Sequence, residues 1–315
     1  MIANYPLSYL KLHWPNIRSM GWAALRNANP VTRPKALPAL PLHMESRVDA
    51  LPNGLIDDYA AWAGAPASRY ASTVPLHLCS QWAMPMLAEL GRNAPYNLLS
   101  LLNQGLRMQV HSATPRNEAL HLVGTLMDVT EEPDRVRIHT RIEAFSVDGQ
   151  PRVTLDSYST VPRGRPQKKA AQPKRKEPEF TTVGHWNASE DDGLRFAMLT
   201  GDFNPIHTLK AVGKRTRFKG CILHGFGQLA RTLETLHNGG HFFSDLDVRW
   251  IKPLPLPSNN LSVQVAKVAD AEGYLALRVL SEGADVHMVG RFKPAGDDSG
   301  SGDEPKPKRS RSKRA

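Results

Sequence analysis

The chain has 315 residues, a length that allows one large domain or two domains of about 150 residues each. Hydrophobic residues make up 41% of the sequence, which is enough to bury a core and excludes a wholly disordered chain. No run approaches the roughly 20 apolar residues that a membrane-spanning helix needs, which argues against an integral membrane protein.

The net charge of +10 is concentrated in two short segments. Residues 163–179 contain seven basic and two acidic residues, and residues 301–315 contain six basic and two acidic residues. Such clusters can bind nucleic acid or anionic lipid non-specifically, but no aromatic residue lies among them for base stacking. The rest of the chain is nearly neutral, so we expect neither nucleic acid nor a membrane to be the main partner.

The start of the chain shows no secretory signal. The first thirty residues lack a continuous apolar stretch, so we expect a cytoplasmic protein. Residues 1–45 are rich in proline and form an N-terminal arm, which either lies on the surface of the body or binds a membrane interface. The two cysteines, Cys79 and Cys221, cannot build a disulfide framework and lack partners at zinc-ligand spacing, so we expect no metal site.

Residues 46–162 form the first predicted unit. A helical pattern extends over 78–102, with an interruption near Pro95, and is followed by strand-like runs at 106–110, 120–129, 135–145 and 152–161. Asp148-Gly149 is typical of a β-hairpin turn. The basic segment 163–179 has three prolines and no apolar periodicity, which predicts a solvated linker.

Residues 180–294 repeat this order of elements. A helix is predicted over 221–236, and strands are predicted at 246–251, 261–268, 274–280 and 286–292. Residues 295–315 are predicted to be a disordered basic tail. Because one helix followed by antiparallel strands occurs twice, we predict two α+β units, each a curved sheet around one long helix.

The most informative stretch lies at 196–226. Asp202 and His207 are five residues apart, and Asn204-Pro205 between them prevents a regular helix. The carboxylate and the imidazole can therefore converge from the two ends of a tight loop and hold one water molecule. One group would accept the proton of that water, while the other would orient it or protonate the product.

A second feature follows seventeen residues after His207. His224-Gly225 comes directly before the predicted helix, where a bare backbone amide at the helix N-terminus can stabilise developing negative charge. Taken alone, each of these residues has an ordinary structural explanation. Asp202 can cap a turn, His207 can be a structural histidine, and His224-Gly225 can be a simple helix start. Their combination favours a catalytic site.

The combination resembles the MaoC-like dehydratase family, which includes (R)-specific enoyl-CoA hydratases. The family pattern is Gly-Asp-x-Asn-Pro-x-His, then a segment that ends in an apolar residue, His-Gly and a long helix. The matching blocks are GDFNPIH at 201–207 and FKGCILHG at 218–225. The first half is similar, more weakly, to the non-catalytic unit of double hot-dog members, in Val74-Pro75-Leu76 and in AMPM at 83–86.

This resemblance implies an α+β double hot-dog fold, with two antiparallel sheets that each wrap a central helix. It implies that Asp202 and His207 activate the water that adds to a trans-2-enoyl thioester, or that leaves a (3R)-hydroxyacyl thioester in the reverse direction. Gly225, together with Asn204 and His224, would bind the substrate and hold the thioester oxygen. No metal or redox cofactor is implied, and the first unit would line a tunnel for the acyl chain.

Other partners follow from the basic residues between the two blocks. Lys214, Arg215 and Arg217 either contact the phosphates of coenzyme A or the acidic surface of an acyl carrier protein, or form a solvated loop. Exposed sheet edges favour pairing of the two units and allow a homodimer. Leu209 replaces an acidic residue of many members, and Leu233 replaces a serine of some members, which bears on substrate and rate. The alternatives are a binding protein for acyl thioesters or polyanions without turnover, and a hot-dog thioesterase.

Overall fold

The computed structural model describes residues 2–28, 31, 34–97, 100–164 and 177–296. Most of the predicted linker, residues 165–176, and the end of the predicted tail, residues 297–315, lie outside the described residues. No helix within the described ranges is long and apolar enough to cross a membrane.

The described part of the first half contains four α-helices and five antiparallel strands. Alternating burial along its strands comes from alternating residue types, as at Val136, Ile138 and Ile142, which face the core. The elements in chain order are β1 (Leu42–Val48), α3 (Asn53–Ala63), α4 (Ser80–Gly91), β2 (Leu102–Val110), β3 (Leu120–Glu131), β4 (Arg135–Ser146) and β5 (Pro151–Pro162), after two N-terminal helices, α1 (Tyr9–Leu12) and α2 (Trp14–Ala28).

The second half repeats this order, with four short additional elements around the predicted site. Its elements are β6 (Phe180–Ala188), α5 (Asp192–Thr200), α6 (Pro205–Thr208), α7 (Lys210–Gly213), β7 (Ile222–Leu223), α8 (Gly225–Asn238), β8 (Phe243–Trp250), β9 (Leu254–Pro255), β10 (Ser258–Ala266), β11 (Leu275–Leu280) and β12 (Val286–Pro294).

The two halves share one ten-stranded antiparallel sheet, in the order β1-β3-β4-β5-β2-β8-β12-β11-β10-β6. Strands β2 and β8 join the halves, with Gly105 opposite Arg249 and Gln109 opposite Asp245. Helix α4 packs against β1, β3 and β4, and α8 packs against β6 and β10. These two helices, the long helices of the predicted pattern, therefore each pack on the strands of their own half, which confirms the double hot-dog fold. The two predicted sheets are continuous because their inner edges pair within the chain.

Several element boundaries differ from the sequence-based predictions. The first predicted helix, 78–102, ends at Gly91, and its last residue already belongs to β2. The second predicted helix, 221–236, begins at Gly225, because residues 222 and 223 pair with β9 as a short strand. The sequence did not predict β1, β6, α3 or α5, and β1 crosses the proposed boundary at residue 45.

The described part of the N-terminal arm lies on the body of the protein. Tyr9, His13, Asn16 and Ser19 are buried at helical spacing, and Trp14 on the opposite face is 60% exposed. These contacts favour the surface arm among the two arrangements that the sequence allowed.

Candidate active site

The site is built on a loop that begins where α5 ends. Gly201 has φ +85°, a left-handed backbone conformation that residues with a side chain rarely adopt. Its amide donates to the Ala197 carbonyl 2.8 Å away. Asp202 follows at once. The Asn204 amide donates to Asp202 Oδ1 (3.4 Å), and Asn204 Oδ1 accepts from the Ile206 amide (3.3 Å) at the start of α6. Asn204 therefore shapes the loop and caps α6, with Pro205 at the first helical position.

His207 lies on α6 with a fixed tautomer. Its Nδ1 is 2.8 Å from the Ile222 carbonyl oxygen, and since a carbonyl only accepts, Nδ1 must carry the proton. In the neutral ring, Nε2 then holds the lone pair. Burial lowers the pKa of His207 from its usual value of 6.5, against the opposing charge of Asp202. The imidazole is therefore neutral at pH 7, with Nε2 as a proton acceptor.

The Asp202 side chain is also largely shielded from water. It is 15% exposed, and burial raises its pKa above the usual 3.8, while His207 and the Asn204 amide act in the opposite direction. Both groups lie beside the His224 ring, since Asp202 Oδ2 is 3.9 Å from His224 Nε2 and the ring centroids of His207 and His224 are 3.8 Å apart. A carboxyl group with a raised pKa beside a neutral imidazole suits proton transfer near neutral pH.

His224 connects this loop to the start of α8. Its ring is buried between Phe196, at a centroid distance of 4.7 Å, and His207, at 3.8 Å. Its Nε2 donates to the Asp202 backbone carbonyl (2.9 Å) and lies 3.9 Å from Asp202 Oδ2. Burial lowers the pKa of His224 well below 6.5, so the ring is neutral. His224 thus fixes Asp202 against the helix.

Gly225 is the first residue of α8, whose leading backbone amides have no intrahelical acceptor. A Cβ at Gly225 would lie 2.8 Å from the Trp250 ring, and Trp250 Nε1 donates to the Gly225 carbonyl (3.0 Å). Only a glycine fits this approach without a shift. The Gly225 amide therefore lies at the positive end of α8, next to His224 and the loop.

The structure places Asp202, His207 and His224 next to one another at the N-terminus of α8. The three basic residues Lys214, Arg215 and Arg217 are exposed after α7, and the Arg217 guanidinium lies 5.0 Å from the Phe218 ring. The phosphate-binding role of these three side chains stays a prediction. Among the described residues, no three His, Cys, Asp or Glu side chains are grouped to hold a metal ion.

The sequence analysis did not identify Gly193, which packs closely against the backbone of His207. A Cβ at Gly193 would lie 2.0 Å from the His207 carbonyl oxygen, so this glycine lets α5 approach α6 closely. Trp250 was also missed, although it packs on Gly225. Neither residue carries a local sequence signal, because each acts through a contact with a distant part of the chain.

Comparisons with known proteins agree with this geometry. Residues 166–277 match the sequence pattern of the MaoC like domain family. No curated protein matches the chain significantly.

Several solved structures share the fold of the chain. HtdX from Mycobacterium tuberculosis is similar over 81% of this chain and 100% of its own, with 17% identity and a TM-score of 0.64. A MaoC-like dehydratase from Phytophthora capsici is similar over 83% of this chain and 98% of its own, with 16% identity and a TM-score of 0.64. The peroxisomal multifunctional enzyme type 2 of Drosophila melanogaster matches over 80% of this chain and 48% of its own, with 18% identity and a TM-score of 0.60.

These findings show a MaoC-like domain in the second half of the chain, within a fold shared by MaoC-like dehydratases. They support a hydratase or dehydratase role.

Proposed function

We propose that this protein adds water to trans-2-enoyl thioesters, or removes it from (3R)-hydroxyacyl thioesters, at a site formed by Asp202, His207 and the Gly225 amide. The observation that carries the proposal is that Asp202 and the His207 ring both lie against His224 at the N-terminus of α8, with His207 Nδ1 donating to the Ile222 carbonyl. The MaoC like domain, which covers all three residues, supports the same chemistry.

The acid–base step uses the water held between Asp202 and His207. His207 Nε2 holds a lone pair because Nδ1 donates to the Ile222 carbonyl, so it can accept a proton from that water as the oxygen bonds to C3 of the enoyl group. Asp202 orients the water, and the protonated His207 ring then gives the same proton to C2, which completes the addition and restores the neutral imidazole. In the reverse direction the same atoms remove the C2 proton and protonate the leaving hydroxyl group.

The charge that develops during this step is on the thioester oxygen. Addition at C3 converts the thioester carbonyl to an enolate, which is stabilised best by a fixed donor in a water-poor site. The Gly225 amide is such a donor, and the dipole of the fourteen-residue helix α8 adds to its effect. Lys214, Arg215 and Arg217 would contact the phosphates of coenzyme A or an acidic carrier surface.

His224 and Asn204 have a positioning role in this proposal. The His224 ring donates to the backbone of Asp202, and Asn204 caps α6, so both side chains hold the loop in its catalytic shape. The substrate-binding role that the resemblance implied for them stays a prediction, because among the described residues His224 Nδ1 is buried without a hydrogen-bond partner and only Oδ1 of the Asn204 side chain is engaged by the protein.

The proposal is tested by mixing the full-length protein with trans-2-enoyl-CoAs of increasing chain length and following the ultraviolet absorbance of the conjugated thioester. We expect the absorbance to fall as the (3R)-hydroxyacyl product forms, and chiral analysis of the product to give one enantiomer. The Asp202→Asn variant should lose this activity. Asp191→Asn, the same change at an exposed carboxylate that pairs with Arg195, is the matched control.

Three other results would contradict the proposal. Release of free thiol, detected with a thiol reagent, would indicate a thioesterase. Stoichiometric binding of enoyl-CoA without any change in absorbance would indicate a binding protein. Equal activity of the Asp202→Asn and wild-type proteins would place the chemistry elsewhere.

A further inference from the structure

The N-terminal arm contacts the catalytic loop through a buried polar face. Three of its side chains are almost completely buried, namely His13, Asn16 and Ser19, although all three are polar. Buried polar groups are costly unless they are hydrogen-bonded, so their partners indicate what the arm does.

The partners of His13 and Asn16 lie at the end of α5. His13 Nε2 donates to the Met198 carbonyl (2.8 Å), and Asn16 Nδ2 donates to the Thr200 carbonyl (2.7 Å). The last carbonyls of a helix have no partner within that helix. The arm therefore caps α5 from outside, two residues before Asp202 in the chain.

The contact extends to the first residue of the loop. A Cβ at Gly201 would lie 2.9 Å from the Cβ atoms of both His13 and Asn16. A glycine is therefore required at position 201 for two reasons, namely its left-handed φ of +85° and the close approach of the arm. The backbone that turns into Asp202 is thus enclosed between α5 and the arm.

Asn16 also connects the two halves of the molecule. The same Nδ2 that donates to Thr200 donates to the Gln81 carbonyl in the first turn of α4 (3.1 Å). One side-chain amide thus fixes the end of α5 in the second half against the long helix of the first half. An amide NH2 has two protons, so both bonds can form at once.

We propose that His13 and Asn16 are positioning residues of the active site, and that the arm fixes the loop that carries Asp202 and His207. The inference rests on the proposed function for its kinetic readout. Loss of either donor should let the end of α5 shift, and a shift of about 1 Å in catalytic groups can cost about 100-fold in rate. The substrate contacts at Gly225 are on a different element, so KM should change little.

The test compares four variants of the full chain. Asn16→Leu keeps the approximate size of the side chain but has no donor, and we expect kcat to fall about 10- to 100-fold. His13→Leu should behave similarly, whereas His13→Gln, whose Nε2 can still donate to Met198, should restore most of the wild-type rate. Tyr9→Phe is the matched control, because it removes an arm hydrogen bond to Asp58 of α3 (2.7 Å) that does not reach the loop.

Hydrogen–deuterium exchange provides a readout that does not depend on the reaction. Peptides that span 199–209 should exchange faster in Asn16→Leu and His13→Leu than in wild type, and at the wild-type rate in Tyr9→Phe. If wild type shows no hydration but exchange changes as expected, the proposed function fails and the positioning contact stands. Unchanged kcat and exchange in Asn16→Leu would overturn the inference, as would an equal loss of kcat in Tyr9→Phe or no rescue by His13→Gln.

Discussion

The two halves of this molecule use the same turn for different purposes. Helices α3 and α5, each placed before the long helix of its half, both end at a glycine with positive φ, Gly64 at +101° and Gly201 at +85°. Counted from these glycines, Ala65 stands where the second half has Asp202, and Tyr70 stands where it has His207. The first half thus keeps the backbone of the turn without its acid–base pair.

In the first half, a side chain of the other half fills the space beside the turn. Glu234 of α8 accepts hydrogen bonds from Tyr70 (2.5 Å), Arg69 (2.7 Å) and His77 (2.7 Å). Burial alone would raise the pKa of Glu234, but hydrogen bonds and charge from His77, helped by Tyr70, lower it to about 2. The turn is therefore part of a buried ion-pair network that joins the halves.

In the second half, the corresponding glutamate of the opposite helix does not pack beside the turn. Glu89 occupies the position in α4 that Glu234 occupies in α8, nine residues after the start of the helix. Glu89 pairs with Arg92 on its own helix at 2.6 Å and is about one-third exposed. The comparison indicates that one turn stabilises the assembly of the halves, while the other, which Glu89 does not join, carries Asp202 and His207. The two are called the filled turn and the open turn below.

The largest expected effect is at the open turn. Asp202→Asn and His207→Ala should each lower kcat by about 100- to 10,000-fold, because each removes one group that acts on the same water. The double variant should be scarcely worse than either single one, since the residues act as a unit. Steady-state kinetics on an enoyl-CoA substrate measures this. A loss of less than about tenfold in either single variant, below the usual cost of removing an acid–base group, would make the pair structural.

A substitution at the filled turn should lower the free energy of unfolding and not the catalytic rate. Glu234→Leu leaves Arg69 and His77 without their buried carboxylate partner, and breaking a buried ion pair in this way typically costs about 3–5 kcal/mol in the free energy of unfolding. Glu89→Leu is the control, because its surface pair is worth about 0–1 kcal/mol. Chemical denaturation gives both values. Equal destabilisation by the two substitutions would contradict the assigned difference between the turns.

The sequence predicted the inner parts of the fold well. Helix α8 and strands β3, β4, β5 and β12 follow clear apolar periodicities, since one face of each is buried. The two outermost strands, β1 and β6, were missed, because a strand at a sheet edge is mostly exposed and carries no apolar alternation. Helices α3 and α5 are short and have a glycine in the first turn, which weakens a helical pattern.

The candidate site was predictable only where it is local in sequence. Asp202, Asn204 and His207 lie in one loop, and their convergence follows from Asn-Pro chemistry. The contact of Asn16 with Thr200 spans 184 residues, and that of Tyr70 with Glu234 spans 164. No periodicity or motif of a single sequence reports such pairs, because they depend on how the halves assemble.

A smaller effect should appear in the titration of His207. Burial holds its pKa below 6.5, and the negative charge of Asp202 raises it in part. Removing that charge in Asp202→Asn should therefore lower the pKa of His207 further. Wild-type hydration should decline as the pH falls through the pKa of His207, because the protonated ring cannot accept a proton from water. NMR titration of the imidazole in both proteins checks the direction, and a higher pKa in Asp202→Asn would contradict it.

The smallest expected effect comes from placing a carboxylate in the filled turn. Ala65→Asp, introduced into the Asp202→Asn protein, should give no recovery of hydration. Tyr70 stands in the position of His207, and burial together with Glu234 raises the pKa of this phenol well above 10, so it cannot serve as a base near neutral pH.

Steady-state rates of the single and double variants, measured at equal concentrations of folded protein, decide the outcome. Recovery above the Asp202→Asn rate would mean that the first half retains a usable acid–base site. The contrast between a filled and an open turn would then be wrong. An unchanged rate would show that the missing carboxylate is not the only reason why the first half does not catalyse hydration. Glu234 and Tyr70 also occupy the space beside its turn.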